Sequence, residues 1–144
     1  MKIDFWQVTD DPIEKVVALI ARRVLDEGAR LLVVSEDADQ RAAISRALWT
    51  AGPESFLAHG DSTAAGAERQ PILLSAALDA TNGASHVVFA DGHLRDTDAF
   101  ERVFLLFPPD RAPDARLAWS AQDNREDVER AYFAQENGRW VKKR

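Results

Sequence analysis

The sequence has 144 residues and contains no cysteine, so neither disulfide bonds nor thiolate metal sites can form within it. Hydrophobic residues make up 46% of the chain and charged residues 29%, which is ordinary for a globular protein. The absence of cysteine fits a protein of a reducing compartment.

Long hydrophobic runs are also missing. No apolar segment approaches the roughly 18 residues that a membrane-spanning helix needs. The first residues, MKIDFW, lack the apolar core and the small-residue cleavage site of a signal peptide. We therefore expect a cytoplasmic protein with no membrane partner.

Positive charge is scarce: the chain has 18 Lys and Arg residues and 24 Asp and Glu residues, which gives a net charge of −6. Nucleic acids are polyanions, so the field of the whole molecule repels them. We expect any contact with DNA to be indirect, through another protein, or confined to a local basic patch.

Runs of apolar and β-branched residues alternate with segments of helical spacing. The predicted strands cover residues 2–8, 30–35, 72–76, 86–90 and 100–107. In the first helix, residues 10–12 supply an N-cap and a first-turn proline, and Gly28 ends the helix. Asp37 is expected to cap the second helix, which residues 52–53 close.

Four other segments complete the predicted organisation. Residues 60–70 are rich in Gly, Ala and Ser and are predicted to form a mobile surface loop. A helix starts near residue 112, residues 125–132 are interpreted as its continuation, and residues 139–143 as a final edge strand. Strands that alternate with helices predict an α/β sandwich with a mostly parallel sheet, here as a single domain over residues 1–144.

Glycine is missing from the first strand-to-helix turn, residues 9–12, where a dinucleotide site needs a bare backbone against the pyrophosphate. Two carboxylates in this turn repel phosphate, and no glycine-rich loop ends in Lys-Ser or Lys-Thr. The sequence therefore predicts no cofactor. A nucleotide-binding α/β enzyme or regulatory domain remains the alternative, because the fold class permits it. Residues 30–61 loosely resemble a helicase motor domain, but the chain lacks the phosphate loop of such a motor.

Histidines and aspartates occur near each other in the sequence at His59, Asp61, His86, Asp91 and His93. His-x-Asp spacing alone does not bring metal ligands together in space, and polar residues at strand ends explain the pattern more simply. No nucleophile elbow and no base paired with a serine is visible. We predict no metal site and no catalytic residue.

Aromatic and basic residues are combined near the end of the chain. Arg116 and Trp119 are one helical turn apart and so share a face, and Trp140, Lys142 and Lys143 follow. A guanidinium beside an aromatic surface suits a peptide that ends in an acidic, aromatic carboxylate. We predict that these five residues bind such a peptide. The simpler interpretation stays open, in which the tryptophans belong to the core and the lysines solubilise the end.

Seven short motifs are spread along the chain, and Leu-Trp followed by Ser-Phe-Leu-x-His-Gly is the most specific of them. The motifs are IDFWQV at 3–8, GARLLV at 28–33, ALW at 47–49, ESFLAHG at 54–60, QPILL at 70–74, FERV at 100–103 and ENGRW at 136–140. In order and spacing the chain resembles the DNA polymerase III chi subunit family.

The resemblance implies a Rossmann-like three-layer α/β sandwich and a non-catalytic accessory subunit of the clamp-loader complex. It also implies docking of the acidic C-terminal tail of single-stranded DNA-binding protein, whose last residue is phenylalanine, to couple that protein to the replicase. The family grips the tail with an Arg-x-x-aromatic-Lys helix segment. In that role Arg116 would pair with the terminal carboxylate, and Trp119 would wall the pocket for the phenylalanine ring.

The chain departs from the family pattern at three positions. Ser120 stands where a lysine is usual, which removes one cation, and Lys142 and Lys143 are the expected compensation. Ser45 replaces a common Asp, and Ala58 replaces a common Pro. The resemblance also implies a second partner, either a psi subunit or another clamp-loader component.

Overall fold

The computed structural model describes residues 1–50 and 57–144. Within these residues the backbone forms eight strands in one sheet and three α-helices. The strands are β1 (Lys2–Gln7), β2 (Leu31–Val34), β3 (His59–Asp61), β4 (Ile72–Ser75), β5 (His86–Phe89), β6 (Arg102–Phe107), β7 (Glu129–Glu136) and β8 (Arg139–Lys142). The helices are α1 (Ile13–Asp26), α2 (Ala38–Trp49) and α3 (Ala112–Ser120).

The sheet has the strand order β3-β4-β2-β5-β6-β1-β7-β8. Adjacent strands are parallel throughout, except for the antiparallel pair of β7 and β8. Helices α1 and α2 cover one face of the sheet, and α3 covers part of the other. The predicted three-layer α/β sandwich with a mostly parallel sheet is therefore confirmed.

Successive side chains of a strand point to opposite faces of the sheet, and two strands show how this builds both cores. In β1, Phe5 packs on the α3 side and Trp6 on the side of α1 and α2. All four residues of β2 are buried, alternately in the two cores. A central parallel strand has no solvent face, which explains the continuous apolar run in the sequence.

The end of α1 and the start of α2 agree with the sequence-based prediction. Gly28 follows α1 with a φ of +79°, in the left-handed region where glycine is favoured. The Asp37 carboxylate accepts hydrogen bonds from the backbone N–H groups of Asp39 and Gln40, as expected of an N-cap.

The start of α1 differs from the prediction. Pro12 is itself the N-cap, and no side chain caps the helix. The two acidic residues before it bind elsewhere: Asp10 accepts from the backbone N–H of Gly138, and Asp11 accepts from the side-chain amide of Gln135. These carboxylates tie the first turn to the β7–β8 hairpin, and Asp11 also pairs with Lys15 of α1 at 3.5 Å.

Two predicted segments have a different structure. The helix expected over residues 125–132 is wrong, because Glu129 already begins β7, whose residues 129–134 pair with the whole of β1. A strand edge with unpaired backbone groups gains hydrogen bonds from such a partner, and this tertiary pairing outweighs the local helical spacing. The loop expected over residues 60–70 is wrong in part, because β3 extends to Asp61 and residues 67–69 form a 3₁₀ turn.

Two predictions from the sequence lie outside the described residues. They concern Gly52 and Pro53 as the end of the second helix, and residues 54–56 of the ESFLAHG motif.

Helix α1 has 14 residues. Across residues 1–50 and 57–144, no helix has both the length and the apolar character that crossing a bilayer requires.

An ion pair between Asp4 of β1 and Arg102 of β6 is built into the sheet. Asp4 is only 1% exposed, and its Oδ2 lies 2.8 Å from Nη2 of Arg102. The guanidinium also lies 5.0 Å from the ring centroid of Phe104. A buried carboxylate is tolerated only with such a partner, because its transfer out of water is costly.

Replacement of Arg102 should therefore destabilise the fold. In Arg102→Ala the Asp4 carboxylate stays buried without its cation, and we expect the free energy of unfolding to fall by about 3–5 kcal/mol, measured by urea denaturation. Arg125→Ala is the control, since the ion pairs of Arg125 with Asp98 and Asp127 are solvent-exposed and contribute much less. Equal small losses in the two variants would contradict this account.

Candidate functional site

A pocket of about 370 Å³ opens between the end of α3 and the β7–β8 edge of the sheet. Its lining residues are Arg116, Trp119, Ser120, Tyr132, Lys143 and Arg144, and we call it the Arg116 pocket. The helical period places the first three on one face of α3, and strand alternation places Tyr132 beneath them. The pocket thus combines an aromatic wall with three cationic side chains.

The aromatic wall belongs to the core on the α3 side of the sheet. The Trp119 ring meets Phe5 edge-on at 5.2 Å and Tyr132 at 6.1 Å between centroids. Tyr132 stacks on Phe5 at 6.3 Å, and its hydroxyl donates a hydrogen bond to Oε1 of Gln7 at 2.9 Å. Both rings are fixed by contacts on the sheet, so the wall is formed before any ligand binds.

Arg130 of β7 holds Trp119 in place. Its guanidinium carbon lies 4.5 Å from the Trp119 ring centroid, a cation–π contact. The same side chain donates to the backbone carbonyl of Trp119 and, at 2.6 Å, to Oδ1 of Asp123. Arg130 is not among the residues predicted from the sequence, because the prediction of a helix over residues 125–132 hides its place on a strand. Strand alternation with Tyr132 would have identified it.

The three cations of the pocket differ in their contacts. Arg116 is exposed, and no acidic partner for it occurs in the part of the chain that the structure describes. Lys143 pairs with the carboxylate of Glu136. Residues 143 and 144 continue the β7–β8 pairing through backbone hydrogen bonds with Tyr132, which brings their side chains to the pocket. Arg116 and Arg144 therefore both present a guanidinium without an acidic partner among the described residues, and Arg116 is the one that shares a face of α3 with Trp119.

Tyr132 stays protonated at neutral pH. Burial raises the pKa of its phenol above the ordinary value, and the positive charge of Arg116 partly opposes this rise. Tyr132 consequently contributes an uncharged ring to the pocket wall, and its side chain does not repel an acidic ligand.

The structure brings together three of the five residues predicted to bind a peptide. Arg116, Trp119 and Lys143 line the same pocket. Trp140 lies on the opposite face of the sheet, with its ring 4.6 Å from that of Trp6. Lys142 is two residues further along β8 and so shares the face of Trp140. The sequence alone did not resolve which face of β8 each residue occupies.

The first strand-to-helix turn carries no open phosphate site. The backbone N–H groups of Thr9 and Asp10 each donate to Oε1 of Gln135 at 2.9 Å, and Asp11 adds a longer contact of 3.4 Å. In a nucleotide-binding fold the donors at this position hold the pyrophosphate. Here a side-chain amide of β7 occupies them.

The histidines have local hydrogen-bond partners, as His59 illustrates. His59 Nε2 lies 2.8 Å from the hydroxyl of Ser45, and its Nδ1 lies 2.8 Å from the carbonyl of Leu57. The sequence analysis missed this serine–histidine pair, which joins α2 to β3. Over residues 1–50 and 57–144, no three His, Asp or Glu side chains converge closely enough to hold a metal ion.

Comparison with known proteins gives one family. The family model described as DNA polymerase III chi subunit, HolC, matches residues 1–127. The match includes Arg116, Trp119 and Ser120 of the pocket, whereas Tyr132 and Lys143 lie beyond it. A search of curated proteins finds no match to the chain.

The pKa of Tyr132 provides a direct test of the pocket geometry. Tyr132 is the only tyrosine, so tyrosinate absorbance during an alkaline titration reports on it alone. We expect a midpoint above the ordinary value of about 10. Arg116→Ala should raise the midpoint further, because the opposing positive charge is removed.

The same shift predicts a loss of stability at high pH. The pKa of Tyr132 is higher in the folded state than in the unfolded state. The contribution of Tyr132 to the free energy of unfolding is therefore complete below the unfolded-state pKa, and it is lost as the pH rises through the folded-state pKa.

The control for the tyrosinate titration is Arg46→Ala, which removes an exposed charge in the last turn of α2 and should leave the midpoint unchanged. A wild-type midpoint at or below the ordinary value would contradict the placement of Tyr132.

Proposed function

Since the chain belongs to the DNA polymerase III chi subunit family, we propose that it is a non-catalytic accessory subunit of the clamp-loader complex. In this role it binds the C-terminal tail of single-stranded DNA-binding protein and couples that protein to the replicase. A psi subunit or another clamp-loader component makes the contact on the replicase side. The Arg116 pocket is the proposed docking site for the tail.

The position of Arg116 carries this proposal. Its guanidinium is exposed, lines the pocket and has no acidic partner among the described residues. A guanidinium can bind both oxygens of a carboxylate at once, and such charge-assisted hydrogen bonds are roughly twice as strong as neutral ones. In the complex, Arg116 binds the terminal carboxylate of the tail.

Trp119 and Tyr132 receive the terminal phenylalanine ring of the tail. Their rings are already fixed against Phe5, and the Arg130 guanidinium also packs on the Trp119 ring. An aromatic ring that enters such a wall gains edge or offset contacts as well as apolar burial. Because the wall is preformed, little conformational entropy is lost when the ring binds.

Lys143 and Arg144 provide the positive charge that Ser120 does not. Both line the pocket together with Ser120. Position 120 is the one at which the family usually has a lysine. Lys143 is held by Glu136, so an acidic tail competes with Glu136 for its ammonium group. Lys142 lies on the other face of the sheet and has no part in this contact.

The overall charge supports an indirect contact with DNA. A net charge of −6 disfavours a DNA backbone, whereas the cations of the pocket attract an acidic peptide locally. The amide of Gln135 fills the turn that a nucleotide phosphate would need, which argues against the alternative of a nucleotide-binding enzyme. A protein-binding role agrees with both observations.

Loss of Arg116 should weaken tail binding strongly. A labelled peptide ending in Asp-Asp-Ile-Pro-Phe is titrated and followed by fluorescence anisotropy. Hydrogen bonds to charged groups contribute about 1.5–3 kcal/mol, so Arg116→Ala should raise Kd by roughly tenfold to a hundredfold. Arg46→Ala is the matched control and should bind like wild type. Unchanged affinity in Arg116→Ala would remove Arg116 as the anchor.

Lys142 and Lys143 are neighbouring lysines on opposite faces of the sheet, so their alanine variants test whether a cation must lie in the pocket to bind the tail. Lys143→Ala should raise Kd by about threefold, in line with a partly exposed charge contact of about 0.6 kcal/mol. Lys142→Ala should leave Kd unchanged, because it faces the other side. Ser120→Lys should lower Kd, since it restores the cation usual in the family. Equal effects of the two alanine variants would indicate general charge attraction without a defined pocket.

A further inference from the structure

A second groove, of about 240 Å³, lies on the opposite face of the sheet. Its lining residues are Trp6, Leu19, Ile20, Arg23 and Trp140, and we call it the Trp140 groove. Helix α1 forms one side through the residues at 19, 20 and 23, and the sheet forms the other. Trp140 is not among the residues that line the Arg116 pocket, and it lines this groove instead.

The sheet side of the groove is aromatic. The rings of Trp6 and Trp140 are 4.6 Å apart, and Trp6 also packs on Phe133 at 5.6 Å and Phe104 at 6.3 Å. Opposite them, Leu19 of α1 is 54% exposed. An exposed leucine facing a tryptophan wall leaves apolar surface for a ligand side chain to cover.

The charge at the groove is positive. Arg23 is exposed and, within the described residues, its guanidinium has no acidic partner. An adjoining depression shares Leu19 with the groove and is lined by Arg22 and by Lys15, whose ammonium group pairs with Asp11. The indole N–H of Trp6 is buried and finds no acceptor in the described part of the chain. In a protein with a net charge of −6, this patch selects an acidic ligand.

We propose that the Trp140 groove is a second docking site for an acidic peptide with an aromatic end. Arg23 binds a carboxylate of the peptide, and Trp140 and Leu19 enclose its apolar side chain. The pairing of an available arginine with a tryptophan wall repeats the chemistry of the Arg116 pocket. The choice of the tail of single-stranded DNA-binding protein as the occupant rests on the proposed function.

The sheet separates the two sites, so they fill independently. Trp119 belongs to the core on the α3 side, and Trp6 and Trp140 pack on the core of α1 and α2. A ligand in one site therefore contacts no residue that lines the other. Each site has its own tryptophans, which makes the indole N–H groups separate reporters.

The test is a titration of the ¹⁵N-labelled protein with the Asp-Asp-Ile-Pro-Phe peptide, followed through the indole N–H signals. Trp→Phe variants assign the signals. We expect the Trp6 and Trp140 signals to shift saturably in wild type and in Arg116→Ala. In Arg23→Ala their Kd should rise about tenfold or more, while the Trp119 signal responds as in wild type. Arg46→Ala matches Arg23→Ala as an exposed last-turn helix arginine and should behave like wild type.

The other outcomes separate the two proposals. A shift of Trp119 alone would overturn the second site and leave the proposed function intact. Shifts of Trp6 and Trp140 that vanish in Arg116→Ala but persist in Arg23→Ala would also overturn it, because they would report on the first pocket. Shifts of Trp6 and Trp140 without Trp119 would support the groove and contradict the proposed docking site. No shift at any indole would overturn both.

Discussion

Strand β7 pairs in parallel with β1, and both of the proposed peptide-binding surfaces depend on this pairing. The register sets Tyr132 opposite Phe5 and Phe133 opposite Trp6. Since neighbouring residues of a strand face opposite sides, the same pairing places one aromatic wall beneath α3 and another beneath α1. Strand β8 then folds back on β7 and brings Lys143 to the first surface and Trp140 to the second.

The cations in and beside the Arg116 pocket differ in how other groups hold them. Arg130 is held by Asp123 and by the carbonyl of Trp119, so it fixes the wall and has little charge to offer a ligand. Arg116 lacks an acidic partner within the described residues and is available for recognition. Lys143 lies between these cases, because Glu136 holds it and an acidic ligand can displace that contact. These differences allow an acidic protein to present a local basic site.

Several local signals in the sequence predicted the fold correctly, although the side-chain cap expected at the start of α1 did not form. The apolar run at residues 31–34, Gly28 after α1 and Asp37 before α2 each reflect a constraint within a few residues, and the structure confirms them. The prediction failed at β7, because a strand that pairs with β1 over more than a hundred residues of separation has no local signature. The Ser45–His59 pair joins residues only 14 apart, but it too depends on how two separate elements, α2 and β3, pack together.

The sequence by itself determined the chemistry of this protein: its α/β class, its acidic charge, and an arginine one helical turn from a tryptophan on α3. Membership in the chi subunit family agrees with those features. Only the tertiary structure decided which side chains meet. It joined Lys143 to Arg116 and Trp119, separated Trp140 and Lys142 from them, and added Tyr132. The reason is that a side chain's face depends on strand register and pairing, which distant segments fix together.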